Sequence, residues 1–283
     1  MKHVINKMLA PENMDKAWRW FRNDKTVWQT GMRRAEMELH KVRHVLELQQ
    51  ALADNRFTPG PVRRFTLKKA NGKERELAAL TLKDKIAQRA LLQVLTPYFE
   101  KQFHPDSFGY RPGRNTDMAF ARARTYLTEG KRFLVHTDIQ SFFDRIPLTS
   151  LKLVLQHHIA DRQALQLIHQ WLDMHATVSA RCWRSARGVP QGGILSPLFG
   201  NIYLNQLDQA LARSRIHFVR YADDVLLLQD SPRNMRRAAS DLNGMVNNLG
   251  LSLHPGKTYL GEVYRGQTYL GHKLPGNKPR KRA

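Results

Sequence analysis

The sequence predicts an α+β fold, and three observations lead to that prediction. From residue 131 onward the order is strand, helix, turn and helix, hairpin, helix and strand, which is typical of a split βαβ sheet with helices on one face. Residues 63–80 predict two strands joined by a turn at Asn71-Gly72. Residues 14–52 repeat apolar side chains at helical spacing and predict a helical N-terminal region.

Charge indicates the kind of partner. The chain has 283 residues, with 46 Lys and Arg against 24 Asp and Glu, and a formal net charge of +22. This excess indicates a polyanionic partner, most often a nucleic acid, although a basic solvated surface gives the same count.

Cysteine content and hydropathy indicate the cellular compartment in which the protein is expected. The single cysteine, Cys182, excludes an internal disulfide and a zinc cluster built from cysteines. No apolar run approaches the roughly 20 residues of a membrane span, and the first residues, MKHVINKML, are too polar and too short for a signal peptide. We therefore expect a cytoplasmic protein that does not contact a membrane.

The sequence TPGP, at residues 58–61, separates the predicted helical region from a predicted hairpin. The predicted hairpin that follows is rich in Arg and Lys at its tip and flanks, and residues 81–100 predict a helix. The next segment, HPDSFGYRPGRN, combines Gly and Pro with Arg111 and Arg114. It is either an ordinary surface loop or a loop that contacts a nucleic-acid backbone through these two arginines.

The C-terminal half supplies the elements of the predicted sheet. A strand ends at Asp138, residues 148–175 predict a helix, and a Gly-rich turn precedes a helix that begins at Ser196-Pro197. After the YADD hairpin, a helix is capped by Ser231 and ended by Gly250. The segments LSLHPGKTYL and QTYLGHKL predict closing strands.

Two adjacent carboxylates, Asp223 and Asp224, interrupt the apolar hairpin HFVRYADDVLLLQD. Neighbouring strands of the predicted sheet bring Asp138 beside them. Buried carboxylates without partners are costly and repel one another, whereas Mg²⁺ prefers such hard oxygen ligands. The pattern therefore predicts two Mg²⁺ ions, with Mn²⁺ as a substitute, and a carboxylate-only set argues against zinc.

The Gly-rich stretch GVPQGGILSP offers a second candidate site. Gly192 and Gly193 let a backbone approach a planar or anionic ligand closely, and Gln191 is placed to contact a nucleotide or a template base. The alternative is a tight turn without a ligand. The stretch is not a Walker loop, because no Gly-Lys-Ser/Thr follows it.

These motifs together resemble the reverse transcriptases, and within them the bacterial lineage of group II intron-encoded enzymes. The resemblance runs from about residue 60 to about residue 275. The blocks that carry it are, in order, GKERELAALTLKDKIAQRAL, DSFGYRPGRN, HTDIQSFFDRI, GVPQGGILSPLFGNIYLN, RYADDVLLL, LGLSLHPGKTYL and TYLGHKL.

The resemblance implies a right-hand polymerase fold and a role for each matching residue. It implies an N-terminal helical region at 1–55, fingers at 56–130, a palm at 131–275 and a basic tail at 276–283. The catalytic carboxylates would be Asp138, Asp223 and Asp224, and the metal ligands these three with the carbonyl of Ile139. Nucleotide binding would fall to Lys73, Arg75, Phe143, Gln191 and Lys257, and template or primer binding to Arg111, Arg114, Gln191, Gly192 and Tyr221.

Phe143 stands five residues after Asp138, where the resemblance implies a bulky residue under the sugar of the incoming nucleotide. An aromatic ring there would collide with a 2′-hydroxyl, so deoxynucleotides would be preferred. The alternative is that Phe143 is a core residue, like its neighbour Phe142.

We also expect one departure from the family's pattern. The helical thumb, the DNA-binding segment and the endonuclease that follow the palm in group II intron proteins are expected to be missing. A structured non-coding RNA or an accessory protein would then hold the RNA–DNA duplex. We therefore predict an RNA-directed DNA polymerase that extends a primer on an RNA template with deoxynucleotides, in antiviral defence. The alternatives are an inactive RNA-binding or scaffold protein, and a retron-type or CRISPR-spacer enzyme that depends on a partner.

Overall fold

The computed structural model describes residues 1–68, 72, 74–179, 188–190, 192–264 and 267–276. The chain forms two compact units. Met1–Lys101 and Ile146–Phe199 form the first unit, and Gln102–Arg145 and Gly200–Ala283 form the second. The units alternate along the chain, and their boundaries fall within the predicted fingers and palm segments; that functional division stays a prediction. All of the predicted tail except residue 276 lies outside the described residues.

Helices and strands are numbered in chain order. The helices are α1 (Val4–Met8), α2 (Pro11–Trp20), α3 (Arg34–Leu39), α4 (Lys41–Ala53), α5 (Leu82–Glu100), α6 (Thr116–Thr128), α7 (Phe142–Arg145), α8 (Leu148–His158), α9 (Arg162–Ser179), α10 (Ser196–Arg213) and α11 (Pro232–Asn248). The strands are β1 (Arg63–Lys68), β2 (Glu74–Ala79), β3 (Phe133–Asp138), β4 (His217–Tyr221), β5 (Asp224–Gln229), β6 (Tyr259–Glu262), β7 (Thr268–Tyr269) and β8 (His272–Lys273). In the described ranges no helix is long and apolar enough to cross a bilayer.

The first unit contains the predicted hairpin, in which β1 pairs antiparallel with β2. The predicted helix at 148–175 is two helices, α8 and α9, separated at residues 159–161. The predicted helical region at 14–52 is also interrupted, at residues 21–33. There the carbonyls of Val27 and Trp28 accept hydrogen bonds from Leu82 and Lys83, at 2.9 and 3.3 Å, and so satisfy amides at the start of α5.

The second unit is built on a four-stranded antiparallel sheet in the order β4-β5-β3-β6. Side chains alternate between its faces. Leu226 and Leu228 of β5 pack on one face with Ala119, Ala123 and other residues of α6. On the other face, Arg220 of β4 bonds to Asp208 of α10. Helices therefore cover both faces, and the prediction of one covered face was wrong because it assigned no helix to residues 116–128.

A buried carboxylate ties together three parts of the first unit. Asp84 of α5 is inaccessible to solvent. Its Oδ2 accepts a hydrogen bond from the amide of Gly60 at 2.9 Å and another from the Thr81 hydroxyl, and its Oδ1 accepts one from Trp171 Nε1 at 3.1 Å. Burial raises the pKa of Asp84 despite these bonds. The three donors offset part of the cost of burying the carboxylate.

We expect Asp84→Asn to destabilise the protein by about 1–3 kcal/mol, because an amide must turn one donor toward a buried donor. Urea denaturation followed by circular dichroism measures the change in the free energy of unfolding.

Trp171→Phe is the matched variant, since it removes one of the facing donors and keeps an aromatic ring. The double variant should lose less than the sum of the two single losses. Strict additivity would contradict the assigned hydrogen bond.

Candidate active site

Three carboxylates meet at one end of the sheet in the second unit. Asp138, the last residue of β3, lies opposite Asp224, the first residue of β5. Asp224 also closes the hairpin opposite Tyr221, so that Ala222 and Asp223 form the turn. The amide of Ile139 donates to the carbonyl of Asp223 at 3.0 Å and fixes the turn to the end of β3. The predicted neighbourhood of Asp138 and Asp223 is therefore present.

The turn between the two strands holds an alanine in a conformation that alanine rarely adopts. Ala222 has a φ of 57°, in the left-handed region, and its side chain is buried. Left-handed backbone at a residue other than glycine persists only where the surroundings impose it. The contacts of Arg220 and Gly109 with this turn identify those surroundings.

Arg220 holds the turn from inside the second unit. Its Nε and Nη2 donate to the two oxygens of Asp208, at 2.7 and 2.6 Å, and both side chains are fully buried. Its Nη1 donates to the carbonyl of Ala222 at 2.9 Å and to Oδ1 of Asn201 at 3.0 Å. The guanidinium thus joins α10, β4 and the turn through charge-assisted hydrogen bonds in a fixed planar arrangement.

The loop after α5 supports the other side of the turn. The amide of Phe108 donates to the carbonyl of Arg220 at 2.8 Å, so the loop pairs with the edge of β4. Asn201 donates to the carbonyl of Gly109 at 2.8 Å. A Cβ at Gly109 would lie 2.3 Å from the amide nitrogen of Ala222. Only glycine permits this close approach of the loop backbone to the turn.

The electrostatics of the site follow from crowding of like charges. Burial raises the pKa of Asp223, and the charges of Asp138 and Asp224 raise it further. Lys257 donates to Oδ2 of Asp138, and this hydrogen bond raises the pKa of the lysine. His136 Nε2 lies 3.1 and 3.2 Å from the two oxygens of Asp224. Burial opposes the charged imidazole, but Asp224 and Asp138 outweigh it and raise the pKa of His136.

The donor types at this end of the sheet fit a divalent cation. Three carboxylates and the nearby carbonyl of Ile139 are hard oxygen donors, which Mg²⁺ prefers. Within the described ranges, no three His, Cys, Asp or Glu side chains stand in a ready arrangement around a common point. Asp138 is turned toward Lys257 and Asp224 toward His136. The site therefore fits the predicted ligands by donor chemistry and proximity.

Phe143 lies in the same unit and is only partly buried, whereas Phe142 belongs to the core. Its ring packs edge-to-face against Tyr110, with 6.0 Å between the ring centroids. Tyr110 itself has a φ of 60° and a largely exposed side chain. The partial exposure of Phe143 favours the predicted contact with a ligand over the alternative of a core residue.

Arg111 and Arg114 bind the loop that carries them. The buried Arg111 guanidinium donates to the carbonyls of His104 and Ser107, at 2.8 and 2.7 Å. Arg114 donates to the carbonyls of Pro105 and Ser107. These contacts support a structural role in holding the loop, and the contact of either arginine with a template stays a prediction.

The remaining predicted residues lie in the first unit. Gly192 has a φ of 100°, and a Cβ there would lie 2.8 Å from the carbonyl oxygen of Ala78. The glycine is thus required by its backbone conformation and by a close approach to β2. The backbone of Arg75 lies in β2 opposite Leu67. Lys73 and Gln191 lie outside the described residues.

The residues that support the carboxylates were not predicted from the sequence. They are His136, Asn201, Asp208 and Arg220, together with Gly109. One signal was available, because Arg220 is a charged residue between apolar strand residues directly before the acidic turn. Asn201 and Asp208 follow one another at helical spacing, which places both on one face of α10.

Comparison with known protein families gives a match that covers most of the chain. A family model described as "Reverse transcriptase (RNA-dependent DNA polymerase)" matches residues 67–274. The matched range includes all three carboxylates, Lys257 and the Gly-rich stretch. It confirms the predicted family and the predicted class of enzyme.

Individual relatives differ in how much of their length this chain spans. Protein YkfC of Escherichia coli is 28% identical, over 97% of this chain and 83% of YkfC. The group II intron-encoded protein LtrA of Lactococcus lactis is 35% identical, over 60% of this chain and 28% of LtrA. Among solved structures, a partial Cas6-RT-Cas1–Cas2 complex aligns with a TM-score of 0.49 and 20% identity, over 86% of this chain and 42% of that chain.

We expect Arg220→Met to lower the free energy of unfolding by about 3–5 kcal/mol, because it leaves the buried carboxylate of Asp208 without its partner. Urea denaturation of the full chain measures the loss.

Pairing Arg220→Met with Asp208→Leu should recover much of that loss, since no buried charge then remains. If the single and double variants lose the same free energy of unfolding, the ion pair with Asp208 is not the reason that Arg220 stabilises the protein.

Proposed function

Because the chain belongs to the reverse transcriptase (RNA-dependent DNA polymerase) family, we propose that it extends a primer on an RNA template by two-metal phosphoryl transfer. One observation carries the proposal: Asp138, Asp223 and Asp224 meet at one end of a sheet inside the matched range. The net charge of +22 supports an RNA template and an RNA–DNA duplex as partners.

We infer that these carboxylates and the carbonyl of Ile139 hold two Mg²⁺ ions, with Mn²⁺ as a substitute. Bound Mg²⁺ would neutralise the triphosphate and stabilise the attacking and leaving oxygens of the displacement. Burial and mutual repulsion, which raise the pKa of Asp223, support this assignment, because crowded carboxylates are relieved by a cation. Lys257 supplies a positive charge beside Asp138, which supports its proposed contact with the phosphates of a nucleotide.

The specificity for deoxynucleotides is assigned to Phe143. Its partly buried ring is supported by Tyr110 and by the core ring of Phe142, 5.1 Å away. A ring held in this way has little freedom to move aside for a 2′-hydroxyl. The backbone of Gly200 is also close, since a Cβ there would lie 3.2 Å from the Phe143 ring.

Other contacts are assigned by the sequence prediction. Lys73, Arg75 and Gln191 would hold the incoming deoxynucleoside triphosphate, and Lys257 would assist them. Arg111, Arg114, Gln191, Gly192 and Tyr221 would contact template or primer. The exposed position of Gly192 and the partial exposure of Tyr221 are compatible with these roles.

The cellular role that we propose is antiviral defence, and the further partner that we propose is a structured non-coding RNA or an accessory protein that contacts the RNA–DNA duplex. Only the sequence prediction supports this role. Sequencing the RNA and DNA that co-purify with the protein from its host distinguishes the alternatives. DNA joined to a structured RNA would indicate a retron-type enzyme, and RNA without complementary DNA would indicate an RNA-binding scaffold.

The double variant Asp223→Ala, Asp224→Ala should lose primer extension by about a thousandfold or more, since metal-assisted charge stabilisation contributes several kcal/mol to the transition state. Primed RNA and labelled deoxynucleotides measure extension, and fluorescence anisotropy measures RNA binding, which should change little.

Asp230→Asn is the matched control, because this carboxylate is exposed beyond the far end of β5. It should extend like the unmodified protein. Continued extension by the Asp223, Asp224 double variant would refute the assignment of the site.

Phe143→Ala should raise ribonucleotide incorporation relative to deoxynucleotide incorporation by about 10–200-fold, the range that removal of a steric contact in a pocket produces. The ratio of kcat/KM for the two nucleotides measures this selectivity.

Phe120→Ala is the control, because Phe120 lies on α6 and stacks on His272. It should leave the ratio unchanged. An unchanged ratio in Phe143→Ala as well would return Phe143 to the core interpretation.

A further inference from the structure

One side chain beside the carboxylates has no role in the function proposed above. His136 lies two residues before Asp138 on β3, so both side chains point to the same face of the sheet. Its strand partner on β5 is Leu226, which places His136 diagonal to Asp224. The imidazole and the carboxylate thus share a face, and each side chain is about three quarters buried, with 27% and 24% exposed.

The contact between them is a hydrogen bond with a defined direction. His136 Nε2 lies 3.1 Å from Oδ1 and 3.2 Å from Oδ2 of Asp224. An ionised carboxylate only accepts hydrogen bonds, so Nε2 carries the hydrogen and donates it. One donor placed almost equally between the two oxygens holds the end of the Asp224 side chain beside the imidazole.

The imidazole is in turn held by a buried aromatic residue. The His136 ring packs edge-to-face on Tyr269, with centroids 5.4 Å apart and an interplanar angle of 83°. Tyr269 is 1% exposed, and its hydroxyl lies 3.4 Å from the carbonyl of Val219 on β4. His136 is therefore fixed by the core of the second unit and passes that restraint to Asp224.

We propose that His136 is a positioning residue that orients the Asp224 carboxylate for binding a divalent cation. The inference rests on the proposed function, because it requires that Asp224 be a cation ligand. Hydrogen-bonding partners of metal ligands fix ligand orientation, and their loss typically lowers metal affinity or activity by about 10–100-fold. Lys257 makes the corresponding contact with Asp138, so two of the three carboxylates are each held by one donor from outside.

Two substitutions separate the hydrogen bond from the packing. His136→Phe keeps an aromatic ring against Tyr269 and removes the donor. His136→Gln removes the ring and keeps an N–H donor that can reach the carboxylate. His217→Phe is the matched control, since this imidazole packs on Tyr126 at the far end of β4, 5.0 Å between centroids. Thermal unfolding of each variant establishes that it is folded.

The measurement is Mn²⁺ binding to the full chain without nucleotide or nucleic acid, followed by the loss of the electron paramagnetic resonance signal of free Mn²⁺. We expect His136→Phe to weaken binding by about 10–100-fold. His136→Gln should stay within a few-fold of the unmodified protein, and His217→Phe should equal it. In primer extension, His136→Phe should raise the Mg²⁺ concentration for half-maximal rate and leave the KM for deoxynucleotide at saturating Mg²⁺ unchanged.

The outcomes distinguish failure of this inference from failure of the proposed function. Equal Mn²⁺ binding by the unmodified protein and by Asp223→Ala, Asp224→Ala would overturn the cation site, and the role of His136 with it. A cation site that is lost in that double variant but unchanged or tighter in His136→Phe would overturn the role of His136 alone. An equal loss in His136→Phe and His136→Gln would also overturn it, because the donor would then have no effect.

Discussion

The buried ion pair between Arg220 and Asp208 is the constraint on which the site depends. Both side chains are fully buried, so the cost of removing two charges from water is offset only by their bidentate geometry and by the further bonds of the guanidinium. One of those bonds goes to the carbonyl of Ala222, in the turn that carries Asp223. The position of the turn that carries Asp223 is thus tied to the packing of α10 against β4.

That constraint explains how the fold maintains an arrangement that is unfavourable locally. Three carboxylates repel one another, and the alanine between two of them has a left-handed backbone. Contacts on several sides keep the arrangement in place. Arg220 holds the turn from within, Gly109 allows the loop backbone to approach Ala222, and Lys257 and His136 each hold one carboxylate from outside. Local strain at a candidate site is tolerated where the surrounding contacts leave no alternative.

Features with a local physical cause were predictable from the sequence. The two strands predicted within residues 63–80 are present as β1 and β2, while the predicted turn at Asn71-Gly72 lies partly outside the described residues. Ser231 caps α11 as its position predicts. The acidic pair inside an apolar hairpin also predicted the neighbourhood of Asp138 and Asp223 that the structure shows. Helix α6 was missed although Asn115 caps it, because small and basic residues give residues 116–128 weak apolar periodicity. The interruption at residues 21–33 depends on bonds to α5, which no local pattern contains.

The motif RYADD shows that residue type alone does not distinguish a charged residue at the candidate site from one that supports the fold. Asp223 and Asp224 are partly exposed at the end of the sheet, whereas Arg220, a few residues away, is completely buried. All three residues are charged and lie within five consecutive positions of the sequence. A charged residue in a strand usually faces solvent. The cost of burying Arg220 is offset by Asp208 on α10, twelve positions earlier, together with the further hydrogen bonds of the guanidinium. Burial and hydrogen-bond partners, which only the three-dimensional structure shows, therefore distinguish the two kinds of charged residue. Asp223 and Asp224 stay accessible at the end of the sheet, and Arg220 holds the turn in place.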